Sequence, residues 1–254
     1  LDIYTSKTRT CDTAPLFVYY HGGTWVAGTR DKIRQRYRND VVAALVDSGC
    51  VVVSVDYRLV AEEGATLVES LHDCHTALDF VRQNPHLFGN DNGCRPIVLW
   101  GSSSGAQMAL MTAYNDTVTG PGRVECLVDD FGPMNLVTAL NQCPDWGKVR
   151  LSPMFFGTKA HDISQFDSLA RVFSPLYHIN HRIPVMIYHG LDDDVVLPEQ
   201  SYALRDSLDS DMCDMVLFEG NGHGLHSMDD SLINLYIASL WNFLYSHIDA
   251  RHAK

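Results

Sequence analysis

The chain has 254 residues, with 19 basic against 31 acidic side chains, a formal net charge of -12 and 46% hydrophobic residues. That length suits one substantial core and is short for two, so a single domain over residues 1–254 is expected. The acid excess argues against a nucleic-acid or anionic-membrane surface and mildly disfavours polyanionic substrates. No run approaches the roughly 18 apolar residues of a membrane span.

Along the chain, strand and helix patterns alternate. After a short strand near Asp2, Leu16 to Tyr20 reads as a buried strand that runs into His21-Gly22-Gly23-Thr24-Trp25. Two successive glycines leave backbone N–H groups uncovered, making Gly22, Gly23 and Thr24 candidate donors to an oxyanion. The plainer reading is a tight turn in which His21 bonds the backbone and Trp25 packs beside it. Val51 to Val55 is the next strand. Leu67, Leu71, Cys74, Leu78 and Val81 then share one helical face and read as core packing.

Ile97 to Trp100 leads directly into Gly101-Ser102-Ser103-Ser104-Gly105, and a helical pattern follows at Ala106, Ala109, Leu110 and Ala113. A strand that ends in Gly-x-Ser-x-Gly and turns at once into a helix holds the middle serine on a strained, exposed bend, with both glycines removing side chains that would collide. Ser103 is therefore the candidate nucleophile, and the amide of Ser104 is a further oxyanion donor. Without the flanking strand and helix the pentapeptide would be an ordinary Gly/Ser turn.

Val124 to Val128 is a strand. Residues 131–180 are the least regular portion and hold Met134, Trp146, Met154, Phe155, Phe156 and Phe166. A connection of that length with its own aromatics suggests a small excursion of short helices. Its aromatics either roof a pocket or only anchor the excursion to the core. A serine hydroxyl is a poor nucleophile and needs a base and a group to orient that base. Two late segments offer them. Val185 to Tyr188 reads as a strand followed by Asp192, Asp193 and Asp194, and Met215 to Phe218 leads into Gly220-Asn221-Gly222-His223-Gly224. Loops at strand ends are where open α/β sheets gather reactive groups. A final helix carries Ile233, Tyr236, Ile237, Leu240 and Leu244 on one face, and the whole alternation predicts a largely parallel sheet.

Taken together, His21 to Trp25, Gly101 to Gly105, His189 to Val196 and Gly220 to Gly224 resemble the α/β-hydrolase superfamily. More narrowly, they resemble its compact carboxylesterases with an HGG-type oxyanion loop, the feruloyl and acetyl xylan esterases among them. Val51 to Leu59 is similar to the strand and Tyr-Arg-Leu tail of these esterases, and Ser174-Pro175-Leu176 and Pro198-Glu199-Gln200-Ser201 also match. The resemblance covers the chain from Leu1 to about Leu244. It implies an α/β-hydrolase fold, a mostly parallel central sheet flanked by helices with the helical excursion near 131–180. It also implies Ser103 as nucleophile, His223 as general base and then acid, and Asp193 as the orienting carboxylate. Leu197 stands where the family pattern has proline, and Asp192 and Asp194 flank Asp193 as alternatives. His226 is the alternative base, and Thr24 replaces a third glycine.

The activity implied is hydrolysis of short-chain acyl esters, acetyl or feruloyl groups on plant polysaccharides included, so the partner is a small-molecule or carbohydrate-linked ester. Trp25, Met134 and Phe155 are the expected substrate-binding residues. Arylformamidases and peptidases would use the same triad, and a non-catalytic binding protein on this scaffold would usually lack one triad member. No cofactor is expected, because no GxGxxG follows the first strand. No metal is expected either: His72 and His75 stand at i, i+3 without an HExxH or paired-cysteine motif. Seven cysteines show no CxxC framework, so buried free thiols are expected, with one or two disulfides open if the protein is exported. The chain begins with Leu1 rather than methionine, from which upstream residues are expected, a signal peptide among the candidates. Cytoplasmic and secreted locations both stay open.

Overall fold

A computed structural model of the protein describes residues 1–7, 13–60, 62–91, 93 and 95–249. Seven strands, β1 (Asp2–Tyr4), β2 (Leu16–Tyr20), β3 (Val51–Val55), β4 (Ile97–Ser102), β5 (Val124–Asp130), β6 (Val185–Gly190) and β7 (Cys213–Phe218), form one sheet in the order β1-β3-β2-β4-β5-β6-β7. β1 pairs antiparallel with β3, and the other pairings are parallel. Strands covered on both faces need side chains that tolerate burial either way up. That is why β2 reads Leu-Phe-Val-Tyr-Tyr and β3 Val-Val-Val-Ser-Val, without a polar alternation.

The helices are α1 (Tyr37–Asp47), α2 (Leu67–Gln83), α3 (Ser104–Tyr114), α4 (Leu136–Ala139), α5 (Asp145–Phe156), α6 (Ile163–Val172), α7 (Glu199–Asp206) and α8 (Asp230–Leu244). The sheet divides the apolar core in two. On one face Leu16, Val18 and Tyr20 of β2 pack with Leu67, Cys74 and Leu78 of α2 and with Met108 and Leu110 of α3. On the other, Phe17 and Tyr19 meet Val41 and Leu45 of α1 and Tyr236, Leu240 and Phe243 of α8. The apolar stripes of α2 and α8 are thus core packing, as the sequence pattern implied.

Chain order and sheet order together position a crevice. The chain steps outward from β2 to β3 and then returns past β2 to β4, so α1 leaves β2 toward one face while α3 leaves β4 toward the other. Adjacent parallel strands whose connections diverge in this way open a gap at their carboxyl ends, the usual ligand position in open α/β sheets. The loop after β2 begins at His21, and the turn after β4 holds Ser103.

Residues 131–180 carry α4, α5 and α6, the expected excursion. Phe156 lies against Phe155, Phe166 and Phe173 with ring centroids 6.2, 5.4 and 5.5 Å apart, and all four rings are buried. Polar pins complete the attachment. Ser174 Oγ accepts from the Leu136 N–H at 2.8 Å and donates to the Ala170 carbonyl at 2.8 Å. Gln200 Oε1 accepts from the Met134 and Asn135 N–H groups at 3.0 and 2.8 Å. The aromatics therefore anchor the excursion to the core, while Trp146 stays exposed.

Cys74, Cys143 and Cys213 are free thiols, and Cys11 and Cys94 lie outside the described residues. Among the described residues, no group of three or more His, Cys, Asp or Glu side chains is placed to hold a metal ion, and no helix is long and apolar enough to cross a membrane.

Asp129, near the end of β5, is fully buried. Its Oδ1 accepts from the Gly132 N–H at 2.8 Å, while Oδ2 has no partner among the described residues. Burial pushes this carboxyl from 3.8 up to about 7. Between those values the folded protein keeps a proton that the unfolded chain has lost, so stability falls as pH rises through the window. Asp129→Asn should therefore gain on wild type as pH rises, by about 1 kcal/mol or more in unfolding free energy at pH 8 relative to pH 4. Urea denaturation at the two pH values measures this, and a gap independent of pH would refute it.

Candidate active site

Ser103 stands at the N-cap of α3 with φ 54° and ψ -126°, a backbone region that costs a non-glycine residue about 1–3 kcal/mol. Its N–H donates to the Asp130 carbonyl at 2.8 Å, and its own carbonyl accepts from Ala106 N–H at 2.9 Å. Close backbone contact does the rest. A Cβ on Gly105 would lie 2.1 Å from the Tyr20 carbonyl oxygen, and one on Gly22 would lie 2.7 Å from the Ser102 carbonyl oxygen and 3.0 Å from Ser103 Cβ. Only glycine at both positions lets the loop after β2 descend onto the turn after β4.

The side chains then line up. Ser103 Oγ lies 3.0 Å from His223 Nε2, and His223 Nδ1 lies 2.8 Å from Asp193 Oδ2. An ionised carboxylate only accepts, so the proton of the neutral imidazole sits on Nδ1 and Nε2 is free to accept from the serine hydroxyl. Asp193 Oδ1 accepts from the Val195 and Val196 N–H groups at 3.0 and 2.9 Å, and its Oδ2 is also 3.3 Å from His189 Nε2. Burial alone would push this carboxyl up; the hydrogen bonds from His189 and His223 outweigh it and hold the group well below the usual carboxylate range. Phe131 meets the His223 imidazole edge to face at 5.1 Å and restrains its swing.

Of the alternatives the sequence left open, Asp192 and Asp194 are exposed, and Asp193 is the one at His223. His226 packs on Gly224 and contacts Arg36 instead of Ser103. Gly22, Gly23 and Thr24 line the same cleft of about 370 Å³ as Ser103 and His223. Ser104 is the first residue of α3, so its N–H has no intrahelical acceptor; the residue directly follows Ser103, is buried and does not itself line the cleft. The loop is braced from behind: the Tyr57 hydroxyl donates to the His21 carbonyl at 2.6 Å, and the Tyr57 ring stacks on His21 at 4.5 Å. The Tyr-Arg-Leu tail after β3 thus acts through His21.

Trp25, Met134 and Phe155 are not where substrate contact was expected. All three are buried in the core, and none lines the cleft. The indole N–H of Trp25 donates to Gln107 Oε1 at 2.9 Å, and its ring meets Phe155 edge to face at 5.8 Å. Satisfying a buried indole turns Trp25 inward, away from Ser103. The cleft wall is built instead from Phe131, Val195, Lys32, Arg36 and Arg38.

A further residue absent from the sequence reading is Asp130. Its carboxylate accepts from Tyr37 OH of α1 at 2.7 Å, Trp100 Nε1 of β4 at 2.9 Å, Ser102 Oγ at 3.1 Å and Tyr236 OH of α8 at 2.8 Å. Its backbone carbonyl holds Ser103. No single stretch of sequence contains this network.

The family described as BD-FAE matches residues 1–208. The chain belongs to the BD-FAE family. Among curated relatives of this BD-FAE member, Esterase LipC of Mycobacterium tuberculosis is 25% identical over 242 residues, which cover 90% of this chain and 57% of LipC. Kynurenine formamidase of Danio rerio is 28% identical over 116 residues, 46% of this chain and 35% of that protein. The chain thus spans little more than half the length of LipC. Among solved structures, the esterase Est2 of Thermogutta terrifontis superposes with a TM-score of 0.70 at 22% identity, covering 96% of this chain and 85% of that one. A truncated carbohydrate esterase from gut microbiota superposes with a TM-score of 0.76 at 19% identity, covering 95% and 89%. These likenesses, with the seven-stranded sheet, establish the α/β-hydrolase fold.

Removing Asp193 would strand the Val195 and Val196 amides and the Nδ1–H of His223, whereas the Nε2–H of His189 keeps the Val196 carbonyl at 2.8 Å. Asp193→Ala should lower the unfolding free energy by about 2–4 kcal/mol at pH 7. Because the folded carboxyl ionises below its ordinary value of 3.8, its contribution is complete above that value and is lost only as pH falls through the lower folded value. The deficit should therefore shrink below about pH 4. An unchanged denaturation midpoint at pH 7 would contradict the assignment.

Proposed function

We propose that the protein is a serine carboxylic-ester hydrolase that forms an acyl-enzyme on Ser103. The observation that carries this is the unbroken pair of hydrogen bonds, 3.0 Å from Ser103 Oγ to His223 Nε2 and 2.8 Å from His223 Nδ1 to Asp193 Oδ2. Ser103 Oγ attacks the ester carbonyl carbon while His223 takes its proton. The oxyanion is received by amides of the Gly22–Thr24 loop and of Ser104. Collapse expels the alcohol, which leaves with the proton from His223, and water repeats the sequence on the acyl-enzyme to release the acid. Asp193 keeps the imidazole in the tautomer this requires and stabilises the imidazolium.

Support for an ester substrate comes from membership of the BD-FAE family and from the esterase named among the relatives. For the acyl group, we favour short chains and acetyl or feruloyl groups linked to carbohydrate. The modest cleft and the likeness to a gut carbohydrate esterase support that choice. A formamide substrate is the second reading, favoured by the match to kynurenine formamidase, since the same nucleophile and base serve either bond.

The test sets p-nitrophenyl acetate, butyrate and octanoate, methyl ferulate, acetylated xylan and an N-formyl arylamine before wild type and Ser103→Ala. We expect turnover of the short-chain or feruloyl esters to exceed that of the formamide and to fall by at least about 1,000-fold in Ser103→Ala. Retention of ester hydrolysis by purified, folded Ser103→Ala protein would sink the proposed role of Ser103. Turnover of the formamide alone would move the reaction to the second reading.

A further inference from the structure

In a chain of formal net charge -12, the wall of the cleft beside Ser103 carries Lys32, Arg36 and Arg38, and among the described residues no aspartate or glutamate lines it. Lys32 sits on the 3-10 turn Arg30–Arg34, Arg36 is the N-cap of α1, and Arg38 lies in the first turn of that helix. The three charges are not equivalent. Arg38 is buried and answered: its Nη1 donates to Tyr37 OH at 3.3 Å, and Tyr37 OH in turn donates to the Asp130 carboxylate at 2.7 Å. Lys32 and Arg36 make no ion pair with a carboxylate among the described residues, and the Arg36 guanidinium meets the His226 imidazole at Nε2. Partial burial, and then repulsion from Arg38, lowers the pKa of both groups, as expected of positive charge without a counter-ion.

Arg36 also holds φ 58° and ψ -145°, a region that a bulky side chain occupies only where its surroundings impose it. Strain and unanswered charge thus coincide on one wall of the cleft. A bound anion would relieve the second of these. Position adds direction: His226, which Arg36 touches, lies in the loop of His223, the group that returns a proton to the leaving oxygen. Arg36 therefore borders the side from which the alcohol departs, and Lys32 lines the same cleft. With a net charge of -12 around it, the cleft suits a singly charged carboxylate better than a dianionic phosphate.

We infer that the ester this protein hydrolyses bears a carboxylate on its alcohol portion, held by Lys32 and Arg36 while Ser103 attacks; this rests on the esterase reading above. Lys32 and Arg36 are then specificity-determining residues.

The experiment compares 4-acetoxybenzoate with its neutral methyl ester, each kcat/KM corrected for the rate of the same ester with imidazole. Wild type should prefer the anionic ester by about tenfold or more at low salt, and the preference should fall toward unity near about 0.5 M NaCl. It should collapse in the Lys32→Gln/Arg36→Gln double variant and persist in Lys32→Arg. Arg34→Gln, on the same turn but outside the cleft wall, should leave it unchanged. On the acyl side, p-nitrophenyl hemiglutarate should have no advantage over p-nitrophenyl valerate. Equal or better hydrolysis of the neutral acetoxybenzoate ester, or a preference that survives the double variant, would overturn the inference. So would a preference confined to the acyl side. Calorimetric binding to Ser103→Ala separates this from the esterase reading: 4-hydroxybenzoate should bind about tenfold more tightly than its methyl ester, whether or not either acetoxy ester is turned over, and equal binding would remove the anion site by itself.

Discussion

The backbone of Ser103, at φ 54° and ψ -126°, is the constraint on which the rest of the site depends. A serine does not hold that conformation by preference; it costs about 1–3 kcal/mol and persists because the surroundings over-determine it. The hydrogen bond from its N–H to the Asp130 carbonyl ties the turn to β5. The Asp130 carboxylate, with donors from α1, β4 and α8, ties that point of β5 to the packing of one whole face of the sheet. Gly22 and Gly105 then allow the loop after β2 to sit on the same turn. Nucleophile and oxyanion donors are in this way placed by one rigid assembly rather than by a loop of their own.

The same end of the sheet collects further strain. Thr24, Trp25, Arg36, Ser103, Phe131 and Leu225 are the non-glycine residues with positive φ among those described, and four of them, Thr24, Arg36, Ser103 and Phe131, line the cleft. Each re-aims a side chain or an amide toward a common space. The supports behind them are ordinary: a tyrosine hydroxyl on the His21 carbonyl, a histidine and two amides on Asp193, a phenylalanine edge on His223. Stability held elsewhere in the core keeps these unfavourable conformations in place.

Charge behaves differently at the two scales. The net value of -12 describes the far field and bears on solubility and on gross partners such as nucleic acid. It says nothing about a wall built from three residues. Five cations between Arg30 and Arg38 outnumber Asp31, with Asp40 just beyond, so the positive run is visible along the chain; that Lys32, Arg36 and Arg38 are the cations on the cleft wall is not. Folding turns the cations toward Ser103 and leaves both aspartates off the cleft wall.

Much was legible from the chain itself. Buried parallel strands and amphipathic helices have periods that a linear pattern displays, and Gly-x-Ser-x-Gly between a strand and a helix specifies a local turn whose chemistry is local too. Strands β4, β5 and β6 read short at their carboxyl ends because Gly101, Ser102, Asp129, Asp130, His189 and Gly190 break the apolar run where the strands enter the site. The triad order and the family resemblance pointed to Ser103, His223 and Asp193, all close to strand ends. The direction of Trp25, Met134 and Phe155, the Asp130 network and the cationic wall were decided only by tertiary structure. An aromatic or a thioether in an irregular segment has the same composition whether it roofs a pocket or anchors a core, and a buried indole turns toward whatever acceptor the fold supplies, here Gln107. The hydrogen bonds that bring Tyr37, Trp100, Ser102 and Tyr236 onto Asp130 span 28 to 106 positions and have no linear signature at all.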